Sequence, residues 1–150
     1  MPQRRFTASV VVRRPPEVVF DWVADHRNVA SALDGVQRWQ PLGPVTTGVG
    51  ARFEVALGVS GLALHNVLVL DSWERPRRLG WHSVEGLIAQ RGGWRFEPRP
   101  QGTLVMLEIS YEPPGGIAGN MVAAQVEGAV RGRLDRAMRE LARRVEALPA

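Results

Sequence analysis

The C-terminal end of the chain carries an apolar residue at every third or fourth position: Val122, Val126, Val130, Leu134, Met138, Leu141, Val145 and Leu148. That period is helical. It predicts one helix from about Ile117 to Ala147, roughly 45 Å long at ~1.5 Å rise per residue. A helix with a single apolar stripe needs a broad apolar surface to lie on, and the rest of the chain must supply it. Gly128 and Gly132 interrupt good helix formers on or near the stripe. They predict either close approach of the helix to a sheet or room for a ligand.

The preceding sequence reads as strands. Phe6–Val12 is β-rich, and Pro15-Pro16-Glu17 then starts a short helix over residues 16–25, with proline at N1 and an acid in the first turn. Asn28 is placed to cap a second short helix ending near Leu33, and Asp34-Gly35 reads as a turn. Strand-length runs follow near 36–42, 51–59, 63–74, 78–85, 89–97 and 103–112, divided by Gly48-Val49-Gly50, Gly61, Arg75-Pro76, Glu85-Gly86 and Pro98–Gly102. Short turns between successive strands require antiparallel pairing, because parallel strands need crossover helices. Leu107, Ile109 and Tyr111 share one face of the last run by period-two alternation. The first strand must pair with a later one to avoid an orphan edge. The expected architecture is α+β: a curved seven-stranded antiparallel sheet around a long C-terminal helix, with two short helices after strand one, in a single domain spanning residues 1–150.

Several function classes fall away on composition. There is no cysteine, which removes disulfides, thiolate catalysis and Cys-based metal sites. All 19 basic residues are arginine, so Schiff-base lysine chemistry and the P-loop lysine are absent. His26, His65 and His82 are scattered, with no His-x-x-x-His pair, and no Gly-x-Ser-x-Gly elbow is present. No metal and no cofactor is therefore expected. The six arginines from Arg131 to Arg144 are interleaved with Asp135 and Glu140. Glu127/Arg131, Asp135/Arg139 and Arg136/Glu140 sit at i,i+4 spacing, as on a salt-bridged solvent face rather than a nucleic-acid platform. The apolar run Val55–Leu70 is broken by Ser60, His65 and Asn66, and the apolar N-terminal run is too short for a secretory signal. The expectation is a cytoplasmic chain without stable membrane insertion, as a monomer or homodimer.

The stretch Tyr111-Glu112-Pro113-Pro114-Gly115-Gly116 joins the last strand to the long helix. A dinucleotide-binding glycine loop needs a further strand after its helix, and here the helix ends the fold. The stretch reads instead as a strand stop and a hinge.

Together these features resemble the START/Bet v 1-like superfamily, also called SRPBCC, and especially its bacterial polyketide cyclase/dehydrase and lipid-transport branch. The matching residues are Pro15-Pro16-Glu17-Val18-Val19-Phe20 with Val23-Ala24-Asp25, Gly48-Val49-Gly50 before Phe53, and Pro76-Arg77-Arg78-Leu79-Gly80-Trp81. They continue through Gly93-Trp94-Arg95-Phe96-Glu97-Pro98, Gly102-Thr103 and Tyr111–Gly116. Each is weak alone; their order carries the resemblance, nearly end to end. It implies the helix-grip fold and a deep, mostly apolar cavity between sheet and long helix. The implied ligand is a small hydrophobic molecule: a polyketide, a lipid or another aromatic. It also leaves three roles open, namely cyclase/dehydrase-like enzyme, lipid or quinone carrier, and protein-interaction module without ligand.

Within such a cavity the catalytic candidates are Tyr111 and His65. Tyr111 shares parity with Leu107 and Ile109, so its ring should face inward with a hydroxyl needing a partner; the alternative is a core tyrosine bonded to a neighbouring group. His65 lies on a run apolar on both faces, so its facing is open, while Leu79 and Trp81 turn His82 outward and Ser83 inward. The wall is expected to comprise Trp39, Phe53, Val55, Trp81, Ser83, Gln90, Trp94, Phe96 and Ile109 from the sheet, with Met121 and Gln125 from the helix. Arg38 is a further polar candidate. Five tryptophans either line such a cavity or simply fill the core. Asp25-His26-Arg27 is the polar cluster nearest the expected mouth.

Overall fold

A computed structural model describes residues 4–59, 61–86, 88–112 and 116–149, and their side chains apart from those of 59, 62 and 116–126. The order is β1 (Arg4–Val12), α1 (Pro16–Ala24), α2 (His26–Ala32), β2 (Val36–Pro41), β3 (Arg52–Val59) and β4 (Leu62–Glu74). Then come β5 (Arg78–Gly86), β6 (Gln90–Arg99), β7 (Gly102–Tyr111) and α3 (Gly116–Glu146). The strands form one antiparallel sheet in the order β1-β7-β6-β5-β4-β3-β2. Six consecutive strands make a meander, and β1 joins it by pairing with β7, from Arg4 opposite Tyr111 to Val12 opposite Thr103. Register shifts between Val36 and Arg38, and on β4 at Val67/Leu68 and Leu70/Ser72, bend the sheet where it curls around α3.

The core forms in two clusters. One gathers β1, β6 and β7 against α1 and the C-terminal half of α3. Val19, Phe20, Phe96, Val105, Met138, Leu141 and Val145 are almost wholly excluded from solvent there. The other is smaller, with Ala51, Phe53, Val55 and Leu68 on β3, β4 and the turn before them. Arg75 in the β4–β5 turn binds both carboxylate oxygens of Asp21 on α1, at 2.8 and 2.9 Å, tying that hairpin to the helix.

Asp25, rather than Asn28, caps α2. Its carboxylate accepts from the Arg27 backbone N–H at 3.0 Å, and the Arg27 guanidinium holds its pKa below the usual carboxylate range. Asn28 instead donates to the Trp22 carbonyl at 2.9 Å, closing the corner between the two short helices. On α3, Glu127 and Arg131 do pair at 3.3 Å, but Arg136 turns to Asp34 at 3.5 Å, and Glu140 binds Arg143 and Arg144 instead.

The two helical glycines do not mark a close approach. A Cβ at Gly128 would meet nothing within 4 Å, and one at Gly132 would meet only the Arg136 side chain, at 3.6 Å. Gly128→Ala should therefore stabilise the protein by about 0.5–1 kcal/mol through helix propensity alone. A rise in the urea midpoint at unchanged slope checks this. A fall would mean that the exposed surface at Gly128 is contacted in solution.

Candidate functional site

Between the two clusters, under α3, the sheet encloses two adjoining chambers of about 150 and 130 Å³. They share Leu33, Trp39, Leu68, Trp81, Ile109 and Leu134, so they form one cavity with a waist. The upper chamber adds Val55, Asn66, Gln90, Tyr111 and Arg133. The lower one adds His26, Phe53, Trp73, Trp94 and Met138. Together they approach the ~300 Å³ at the small end of ligand cavities.

Strand parity builds this wall. On β7, Ile109 and Tyr111 point to the concave side with Leu107. On β6, Gln90 and Trp94 share a parity with Gly92, which lies opposite Trp81. Gly92 has a steric reason: a Cβ there would sit 2.3 Å from the Trp81 ring, so the indole lies flat across the glycine. On β4 the even-numbered Leu64, Asn66 and Leu68 turn inward, which settles the facing of His65.

His65 is exposed, and only its place on the strand brings it to the cavity rim. Its neighbours Leu64 and Asn66 take the inward positions, which leaves His65 at the edge of the upper chamber. Tyr111 is buried and stacks on Phe6, with ring centroids 5.2 Å apart. Its hydroxyl donates to Glu127 Oε2 at 3.2 Å. Arg4 holds the same oxygen at 2.7 Å and keeps the Glu127 carboxyl below the ordinary carboxylate range. Burial, then the carboxylate, pushes the Tyr111 phenol up. The one O–H of Tyr111 is thus committed to the helix, which fits a structural clasp better than a proton donor to a ligand.

Of the expected wall residues, Trp39, Val55, Trp81, Gln90, Ile109 and Tyr111 meet in the upper chamber, and Phe53 and Trp94 in the lower. Ser83 and Phe96, expected in the wall, line neither of these two chambers. Ser83 accepts from the Gln90 backbone N–H at 2.9 Å, stapling the β5–β6 connection. Phe96 is core, packed edge-on against Phe20 at 5.5 Å. The side chains of Met121 and Gln125 lie outside the described residues, as does the 113–115 part of the expected hinge. Arg38 is exposed and pairs with Glu54 at 2.9 Å. His82 faces outward, bound to Asp71 at 2.7 Å. Of the tryptophans, Trp22 is core and the other four reach the cavity.

Three residues of the wall carry a side-chain polar atom that is buried without a hydrogen-bond partner among the described residues: Trp39 Nε1, Trp81 Nε1 and Asn66 Oδ1. Trp39 and Asn66 lie on one cross-strand row, because Trp39 pairs with Val55 and Val55 with Asn66. A buried polar group left unsatisfied costs about 1–3 kcal/mol. Such groups call for a partner, which an ordered water or a ligand would supply. Sequence reasoning missed Asn66, although its parity with Leu64 and Leu68 was the available signal. It also missed Arg133, which the sequence shows only as one arginine on a charged helix face. The Asp25-His26-Arg27 cluster does reach the cavity through His26, which packs against Phe53 at 5.0 Å.

Comparison with known proteins agrees with this architecture. The sequence model of the family described as "Polyketide cyclase / dehydrase and lipid transport" matches residues 3–146. No curated protein sequence matches the chain significantly. Among solved structures, TTHA0849 from Thermus thermophilus superposes with a TM-score of 0.80 at 22% identity, covering 99% of this chain and all of that one. The Zhui aromatase/cyclase from Streptomyces sp. R1128 gives 0.75 at 20% identity, covering 97% and 98%. A START superfamily protein from Mycobacterium smegmatis gives 0.66 at 13% identity, covering 91% and 98%. No described helix is long and apolar enough to cross a membrane. With its helix-grip, Bet v 1-like fold, the chain belongs to the polyketide cyclase/dehydrase and lipid-transport family.

Proposed function

We propose that this protein binds one small hydrophobic molecule, flat enough to lie between the indoles of Trp39 and Trp81, in the cavity beneath α3. The observation that carries the reading is the pair of indoles in the wall of a mainly apolar cavity, each with an N–H group buried and unpartnered among the described residues. An aromatic polyketide, a quinone or another carbonyl-bearing aromatic offers both the flat apolar body and the acceptors that those donors lack. The presence of an aromatase/cyclase and a START protein among the solved neighbours is consistent with such ligands.

The expected result of a thermal-shift panel of aromatic polyketides, quinones and fatty acids is a rise in melting temperature for the flat carbonyl-bearing members. At a ligand concentration of 100 Kd the stabilisation is about 2.7 kcal/mol, or roughly 5–10 °C for a chain of this size. If no member raises the melting temperature and native mass spectrometry shows no one-to-one complex, the reading fails.

A cyclase/dehydrase-like activity is the second reading, and the same indoles favour it. Donors that hold carbonyls in place would fold a flexible chain into a reactive shape, and proximity of this kind supplies much of a cyclisation barrier. With the Tyr111 hydroxyl bound to Glu127 and His65 at the surface, the cavity is better equipped to shape a ligand than to shuttle protons. Binding therefore ranks first.

A further inference from the structure

We propose that the ligand is an acid: a hydrophobic molecule carrying one carboxylate or comparable delocalised anion, seated with that end at Arg133 in the upper chamber. The proposal deepens the binding reading above and rests on it. The charge of the wall is its first support. Among the described residues no aspartate or glutamate lines either chamber, and Arg133 is the one permanently charged side chain that does. His26 and the rim residue His65 can only add positive charge.

The geometry of Arg133 is the second support. It rises from α3 beside Val130 and Leu134, and its Nη1 donates to the Gly58 carbonyl at the end of β3 and to the Asp34 carbonyl at 3.3 Å. Gly35 makes room for it, since a Cβ there would stand 2.2 Å from Nη1. The guanidinium is thus fixed at the chamber wall by two neutral backbone groups. Among the described residues neither Nε nor Nη2 has an acceptor, and no carboxylate pairs with it. The acids nearby are taken: Asp34 by Arg136 at 3.5 Å, and Glu127 by Arg4 and Arg131 at 2.7 and 3.3 Å. A half-buried guanidinium with an idle edge matches a carboxylate in a planar two-point fork. The Trp39 and Trp81 indoles line the same chamber, and their N–H groups have no acceptor among the described residues. An ammonium-bearing ligand would meet the Arg133 charge with no carboxylate among the described lining residues to offset it.

The test titrates the protein with 2-naphthoic acid, its methyl ester and 2-naphthylmethylammonium at pH 7.5, following tryptophan fluorescence. The acid should bind at least tenfold tighter than the ester, with the ammonium weakest. Arg133→Met should bring acid and ester within threefold of one another by weakening the acid alone. Because Arg133 also fastens α3, the readout is the acid-to-ester ratio on one preparation, with the circular dichroism spectrum as the check on folding. The wild-type comparison decides the ligand class even if that variant does not fold, and Arg133→Gln then takes its place. Equal binding of acid and ester to the wild type overturns the proposal while leaving the cavity reading intact. Retention of the acid preference in the variant overturns the role of Arg133. Absence of binding by all three probes overturns the proposal, and the cavity reading falls with it only if the wider ligand panel also gives nothing.

Discussion

Phe20→Ala should destabilise the protein by about 3–5 kcal/mol, the range for an aromatic removed from a closed core. Phe20 is fully buried on α1. Its ring meets Trp73 edge-on at 5.5 Å and Phe96 at 5.5 Å, so it wedges α1 against β4 and β6 at once. Trp73 also lines the lower chamber, and the void left by truncation adjoins the existing cavity. The loss should appear as a lower urea midpoint at unchanged slope. Phe20→Leu, which keeps most of the volume, should cost far less. A loss under about 1 kcal/mol for alanine would mean that α1 docks outside the cooperative core.

The second large effect is expected at Gly102, where the β6–β7 hairpin meets the end of β1. Its φ is +149°, and a Cβ there would stand 2.1 Å from the Val12 carbonyl oxygen and 2.9 Å from both Arg13 Cα and Arg14 N. Those neighbours are backbone, so no side chain can swing away. Gly102→Ala should cost about 1–3 kcal/mol in backbone strain, with the displacement of β1 added to it. The corner matters beyond the hairpin. Thr103, fully buried, donates to the Arg14 carbonyl at 2.7 Å. The Arg14 side chain in turn donates to the carbonyls of Val145 and Leu148 at 3.3 and 2.8 Å, and Glu146 accepts from the Arg13 N–H at 2.9 Å. Shifting Gly102 should therefore loosen the C-terminal end of α3 as well. Faster amide exchange at residues 141–146 in the variant checks this; exchange confined to the hairpin would show that the corner is not coupled.

The fold was legible because its two decisive signals are long or regular. The helical stripe from Val130 to Val145 buries Leu134, Met138, Leu141 and Val145 as its period requires. The alternation Leu107, Ile109, Tyr111 likewise placed the inward face of β7 correctly. The site was legible only where alternation was clean. On β4 both faces are apolar, so the parity that Asn66 shares with Leu64 and Leu68 competed with an equally apolar odd-numbered face holding His65. Ser83 has the right parity, but its hydroxyl is claimed by the N–H of Gln90 at the start of β6, which no local pattern reveals. Arg133 escaped notice for a related reason. Helical charge spacing says which residues are neighbours on the helix, but not which arginine leaves that surface to reach a carbonyl on another strand.

The pairing of the first strand with the last has a consequence for how the molecule is made. Strands β2 to β7 can zip together as successive hairpins as soon as each emerges, since every one of those pairings is local. β1 is synthesised before them but has no partner until β7 is complete. Through most of synthesis the Val10-Val11-Val12 segment is therefore an open strand, able to pair with the wrong chain. Arg4 and Arg5 open that strand and Arg13 and Arg14 follow it. In the finished fold the Arg4 and Arg14 side chains and the Arg13 backbone N–H fasten β1 to α3; before then, the charges that flank the strand are placed to repel its copies, as gatekeeper residues do.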